Sequence, residues 1–179
     1  MARPWLGFLF ALAACGDDAA TATPDAAQPI PDAPAGLSTT CDGACKTTSI
    51  TAAMAMTRTL DHGIYGVNRT PAGTLHIEVH KGGAAGCPTM TSPTPDYSLV
   101  LGAMPIPTST AKSSSAGNLL DFKGDLLGGP LGKMATTVML TPVAYKDGDF
   151  IALDIDLAFS PGTATGHIHA VHCASLDDP

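Results

Sequence analysis

Five residues of this chain combine side-chain types and spacing suited to a metal ion. They are His76, Glu78 and His80 in one stretch and His167 and His169 near the C-terminal end. Neutral imidazole and carboxylate are ordinary ligands of zinc and copper. Each set runs at period two, so on an extended strand its members share one face. At about 3.3 Å per residue, His76 and His80 stand roughly 13 Å apart along a flat strand. Metal–nitrogen bonds near 2 Å cannot span that distance around one ion. A workable centre therefore needs Glu78 with one flanking histidine, plus His167 and His169 from a strand about 5 Å away. The competing expectation is that His76, Glu78 and His80 form the solvated face of a half-buried strand. His172 alternates with the C-terminal pair and faces the other way, and His62, in Asp61-His62-Gly63, reads as a turn residue.

The His-x-His spacing resembles that of β-sheet metal sites such as those of carbonic anhydrases and cupins, which would imply zinc or copper held on a sheet. A second pair, Asp154 and Asp156, also shares a face, with Asp147 and Asp149 nearby in sequence. Such carboxylates serve acid–base chemistry or calcium, or simply keep a sheet soluble and guard it against edge pairing. Two other signals fail. Residues 128–133 are glycine-rich, but a phosphate-binding loop needs Gly where Leu127 stands and Ser or Thr where Met134 stands. Ser113, Ser114, Ser115 and Ser175 sit in no nucleophile-elbow pattern. No catalytic constellation can be assembled, so an unseen hydrolase site is the weakest of three functional expectations.

The elements that must carry these residues are strands. Residues 150–160 place Ile151, Leu153, Ile155, Leu157 and Phe159 on one face and Asp154 and Asp156 on the other. Residues 74–80 place Leu75, Ile77 and Val79 opposite His76, Glu78 and His80. Further strands are expected over 47–57, 97–103, 118–124, 134–145 and 166–173. Lys146-Asp147-Gly148-Asp149 is a hairpin turn, because Asp-Gly accepts the positive φ such turns need. Gly- and Pro-rich loops separate the rest. About seven short strands with such turns predict an all-β fold, an antiparallel β-sandwich, with a small β-barrel as the alternative.

Four cysteines, Cys41, Cys45, Cys87 and Cys173, lie in this region. They permit three disulfide connectivities. The short, flexible spacer Asp42-Gly43-Ala44 favours Cys41–Cys45, which leaves Cys87–Cys173 to tie the end of the chain to the loop after the His76–His80 strand. Both of those cysteines follow their strands, so direct antiparallel neighbours would exit on opposite sides unless the 81–86 loop folds back. A four-cysteine metal site lacks the paired C-x2-C spacing.

The fifth cysteine sits elsewhere. Arg3 precedes an uncharged apolar run, Trp5 to Ala14, too short for a membrane-spanning helix and matching a secretory signal. Leu12-Ala13-Ala14-Cys15 resembles the lipobox of bacterial lipoproteins. That resemblance implies cleavage after residue 14 and a diacylglycerol thioether on Cys15, with acyl chains such as palmitate, enough to anchor stably. Gly16 follows the cysteine in place of the aspartate that resembles an inner-membrane retention signal, which favours the outer membrane. Residues 16–37 carry Pro24, Pro29, Pro31 and Pro34 among Ala and Asp, with no aromatic, Lys or Arg. They cannot bury enough surface to fold alone, and as a tether they would reach roughly 50–70 Å. Residues 38–179 remain as one β domain.

Net charge is −7 with pI near 5.0, and no basic patch exists, which argues against nucleic acid. The expected function is a non-catalytic, lipid-anchored envelope or binding module with a protein or glycan partner. An extracytoplasmic metal binder is the alternative.

Overall fold

Period-two alternation becomes ten β-strands: β1 (Ser49–Ala53), β2 (Thr57–Leu60), β3 (His62–Arg69), β4 (Ala72–Lys81), β5 (Tyr97–Pro105), β6 (Ala116–Asp121), β7 (Gly132–Met134), β8 (Thr137–Lys146), β9 (Phe150–Ala158) and β10 (Thr163–His172). This computed structural model describes residues 36–129 and 131–177. The signal segment 1–14, Cys15 with its anchor, and the tether as far as residue 35 lie outside the described residues. Among the described residues there is no α-helix; two short 3-10 turns, Gly43–Lys46 and Ala174–Leu176, flank the strands.

The strands hydrogen-bond as β2-β1-β10-β3-β4-β5-β6-β7, with β9 on the other edge of β10 and β8 beyond it. All pairs are antiparallel except β3 with β10. β10 is the branch point. Its first half pairs with β1, and its last residues, from Ala170 to His172, pair with Gly63 to Tyr65 of β3. The path does not close into a barrel. β7 pairs with β6, β8 pairs with β9, and the chain itself crosses from one partner to the other. At that crossing the Ala135 N–H donates to Gly117 and the Thr136 N–H to Ala158.

The alternation fixes which side is core. Leu75, Ile77 and Val79 of β4, Leu99 and Leu101 of β5, and Ile151, Leu153 and Leu157 of β9 are fully buried in one cluster. Burial of each such side chain contributes about 1.5–3 kcal/mol. The histidines of β4 and the odd-numbered residues of β10 therefore lie on the outer side.

Among the described residues ten strands form where about seven were expected. The 47–57 segment turns at Met54, whose N–H donates to the Met56 carbonyl, and becomes the hairpin β1–β2. The 134–145 segment divides at Ala135 and Thr136 into β7 and β8. β3 is wholly additional, and it corrects the reading of His62. That residue is no turn; it opens β3 directly opposite His80 of β4. Two glycines, Gly63 and Gly66, hid the strand from its residue pattern, and both have a tertiary reason. A Cβ on Gly66 would stand 2.4 Å from the backbone of Leu176, because the C-terminal turn crosses β3 there.

Cys41 pairs with Cys45 and Cys87 with Cys173. The second bridge satisfies the geometric condition stated above. β3 separates β4 from β10, and the loop after β4 folds back across the sheet to reach the end of β10.

Candidate functional site

β4 brings three of the five candidate residues together. Its outer face carries His76, Glu78 and His80, and Glu78 bridges both neighbours. The Nε2 of His76 lies 2.8 Å from one carboxylate oxygen and the Nε2 of His80 lies 3.0 Å from the other. The 13 Å that separates two histidines four residues apart on a strand is thus spanned by the glutamate between them. Hydrogen bonds from His76 and His80 hold the Glu78 carboxyl down at about 2, against its ordinary 4.5, and outweigh the opposing effect of burial. The carboxylate is ionised across the whole physiological range.

This face is only partly solvated. Side-chain exposure is 22% for Glu78 and 12% for His80, because residues 82–96 fold over it. Their ends meet. Lys81 pairs with Tyr97, the Asp96 N–H donates to the Lys81 carbonyl, and Gly83, at φ +83°, packs against Pro95. A compact loop with closed ends is an Ω-loop, a form often used for function. The Cys87–Cys173 bridge ties its body to the end of β10, where Cys173 is completely buried and donates its N–H to Tyr65.

Between this loop and the sheet is a cavity of about 260 Å³. Its floor is Ile64 of β3, Glu78 and His80 of β4, Ser98 and Val100 of β5, and Leu120 of β6. The loop contributes Pro88, Pro93 and Pro95, and Phe122 completes the lining. Register explains the polar spot. His80 stands opposite Ser98, and Glu78 opposite both Ile64 and Val100. Phe122 is placed by backbone bonds: its N–H donates to Asp96 at the loop's neck. The turn after it is organised by buried Asp121, whose carboxylate accepts from the N–H groups of Gly124, Leu126 and Leu127. Arg58, Tyr97 and Asp125 form a further clamp joining β2, β5 and this turn.

One polar atom at the site is unspent. With its Nε2 on Glu78, His80 leaves Nδ1 buried and without a partner, and the Nε2 of the facing His62 is likewise unpartnered. Buried polar nitrogens are ordinarily paired, so these two are exceptions; His80 lines the cavity and His62 does not.

His167 and His169 belong elsewhere. They lie on β10 with β3 between them and β4, so the five-residue metal centre expected from the sequence is not assembled. Both ring nitrogens of His167 are engaged, one with Asp154 at 2.7 Å and one with the Cys45 carbonyl at 3.0 Å. His169 stacks on Phe150 at 5.3 Å, and burial followed by the neighbouring His167 pushes its imidazole below the ordinary range. Thr48 closes this region by exchanging hydrogen bonds with the backbone of His169. Asp154 is spent on His167, and Asp156 remains exposed. His172 meets Asp177 at 3.0 Å and packs its ring on Tyr65. Among the described residues no group of three or more His, Cys, Asp or Glu is placed to hold a metal ion.

The residue pattern did not identify Ser98, Val100, Leu120 or Phe122 as a site. One signal was available: the stretch between the His76–His80 strand and Tyr97 is longer than most connections, and such loops are usually functional or disordered. Comparison of the chain with protein-family models, with curated proteins and with solved structures finds no match.

Proposed function

We propose that this protein is an extracytoplasmic, lipid-anchored binding module, held at a bacterial membrane through Cys15 and taking a small ligand under its Ω-loop. The observation that carries the reading is the cavity of about 260 Å³ between residues 82–96 and the outer face of β3 to β6. Its lining is mostly apolar with a few convergent polar groups, the usual character of a ligand site. It lies just below the ordinary range of about 300–1,000 Å³, so the ligand is of fragment size. The two disulfides fit an oxidising, extracytoplasmic compartment. No helix among the described residues is long and apolar enough to cross a membrane, and the lipobox-like Leu12-Ala13-Ala14-Cys15 supplies an anchor instead, with Gly16 favouring the outer membrane.

The binding role is tested by amide chemical-shift mapping of the full-length, disulfide-formed chain against a library of small amphiphiles. Shifts clustered on Glu78, Ser98, Val100 and Leu120, lost when Leu120→Trp fills the cavity, are the expected result. A library at millimolar concentration that leaves those amides unmoved overturns it. The anchor is tested by labelled-palmitate incorporation: the wild-type chain should label and Cys15→Ser should not, and equal labelling of the two defeats the assignment.

A further inference from the structure

We propose that the cavity takes a small organic cation, a protonated primary amine on a compact apolar body, with the ammonium group seated on Glu78. The proposal rests on the binding role given above and names its ligand class.

Charge is the first argument. Glu78 is the one carboxylate among the described residues lining the cavity, and none of those residues is Lys or Arg. The nearby cations are engaged outside it, Lys81 with Asp61 and Lys123 with Asp96. The carboxylate of Glu78 is therefore the negative centre of the lining. A half-buried carboxylate attracts a cation far more strongly than one in bulk water, because the surrounding dielectric is lower.

Lone pairs supply the second argument. A carboxylate offers about four acceptor sites, and the two histidines use one on each oxygen. Each oxygen keeps one. These are free acceptor sites on a carboxylate, and an ammonium brings three donors and no acceptor, their complement. Shape is the third: Ile64, Val100, Leu120 and Phe122 surround the polar spot with apolar surface suited to a short alkyl or aryl body.

The test compares n-hexylammonium, n-hexanol and n-hexanoate, titrated at pH 8 into the full-length, disulfide-formed chain and followed by amide shifts and calorimetry. Ligands of this size should bind with Kd of about 0.1–10 mM. The expected order is hexylammonium tighter than hexanol by about tenfold, with hexanoate weakest, and Glu78→Gln should bring hexylammonium down to the level of hexanol. Hexanol binding as tightly as hexylammonium, or hexylammonium binding unchanged in Glu78→Gln, overturns the cation while leaving the cavity's binding role in place. Failure of all three probes, together with an unmoved amphiphile library, overturns both. The comparison of the three probes on the wild-type chain decides the matter even if the variant does not fold.

Discussion

Two strands of this protein carry histidines at period two on the outer side of the same sheet, His167-x-His169 on β10 and His76-x-Glu78-x-His80 on β4, and they have become different things. On β10, His167 and His169 lie under the segment that contains Cys41–Cys45, with both nitrogens of His167 bonded and His169 stacked on Phe150. On β4, His76 and His80 converge on Glu78 beneath an Ω-loop that stands off the sheet and leaves a cavity and an unpartnered imidazole nitrogen. What separates the two sets here is how the covering segment meets each of them. A short loop, stapled over four residues, bonds directly to one of the histidines it covers, His167, and borders a hollow of about 360 Å³ at the other, His169. A long one, joined across a separation of 86 residues, arches and leaves space.

The largest expected effects come from removing those covers. Loop-closure entropy assigns about 4–5 kcal/mol to the Cys87–Cys173 bridge and about 2 kcal/mol to Cys41–Cys45. Paired Cys→Ser variants, unfolded in urea, should lose stability in that order. Only the Cys87–Cys173 variant should also lose hexylammonium binding and gain amide exchange in residues 82–96. Equal losses of stability, or binding retained without the long bridge, would break the contrast between the two covers.

A smaller effect is expected at Glu78, and its pH dependence gives the sign. Its carboxyl is held at about 2 in the fold against an ordinary 4.5. The ionised group therefore stabilises the fold fully above about pH 4.5, and that contribution is lost as pH falls toward 2. Glu78→Gln should cost about 1–3 kcal/mol at pH 6–8, and the gap to wild type should narrow steadily between pH 5 and pH 2. A gap that widens on acidification would contradict the bridging role of this carboxylate.

Smallest are the β10 substitutions. His167→Ala removes bonds to an exposed aspartate and one carbonyl and should cost about 1 kcal/mol. His169→Ala removes a ring stack and should cost about 0.5–1.5 kcal/mol. Neither should change hexylammonium affinity by more than twofold. A tenfold loss in either would join the two histidine strands into one site and undo the distinction drawn here.

Local chemistry made part of this visible in advance. The faces of β4 and β9 follow from alternation alone, since a side chain's side of a strand is set by its neighbours in sequence. The existence of an all-β, disulfide-stapled domain could be read the same way. β3 escaped because Gly63 and Gly66 are required by close approach of other backbone segments, which no periodicity reports. The candidate site escaped for a related reason. Its polar floor was named, but Ser98 opposite His80 and Leu120 opposite Ser98 depend on register between strands.

The amino-acid sequence by itself thus determined which residues are extended, which of them face the core and that four cysteines are available to staple the result. Each of these is a short-range property of the chain. Only the tertiary structure decided that β3 would lie between the two histidine strands, that the 82–96 loop would fold back to Cys173, and that Glu78 would sit under cover instead of in water. Those outcomes depend on which distant segments bury one another's surface, an energy that belongs to pairs of segments and is written in neither one alone.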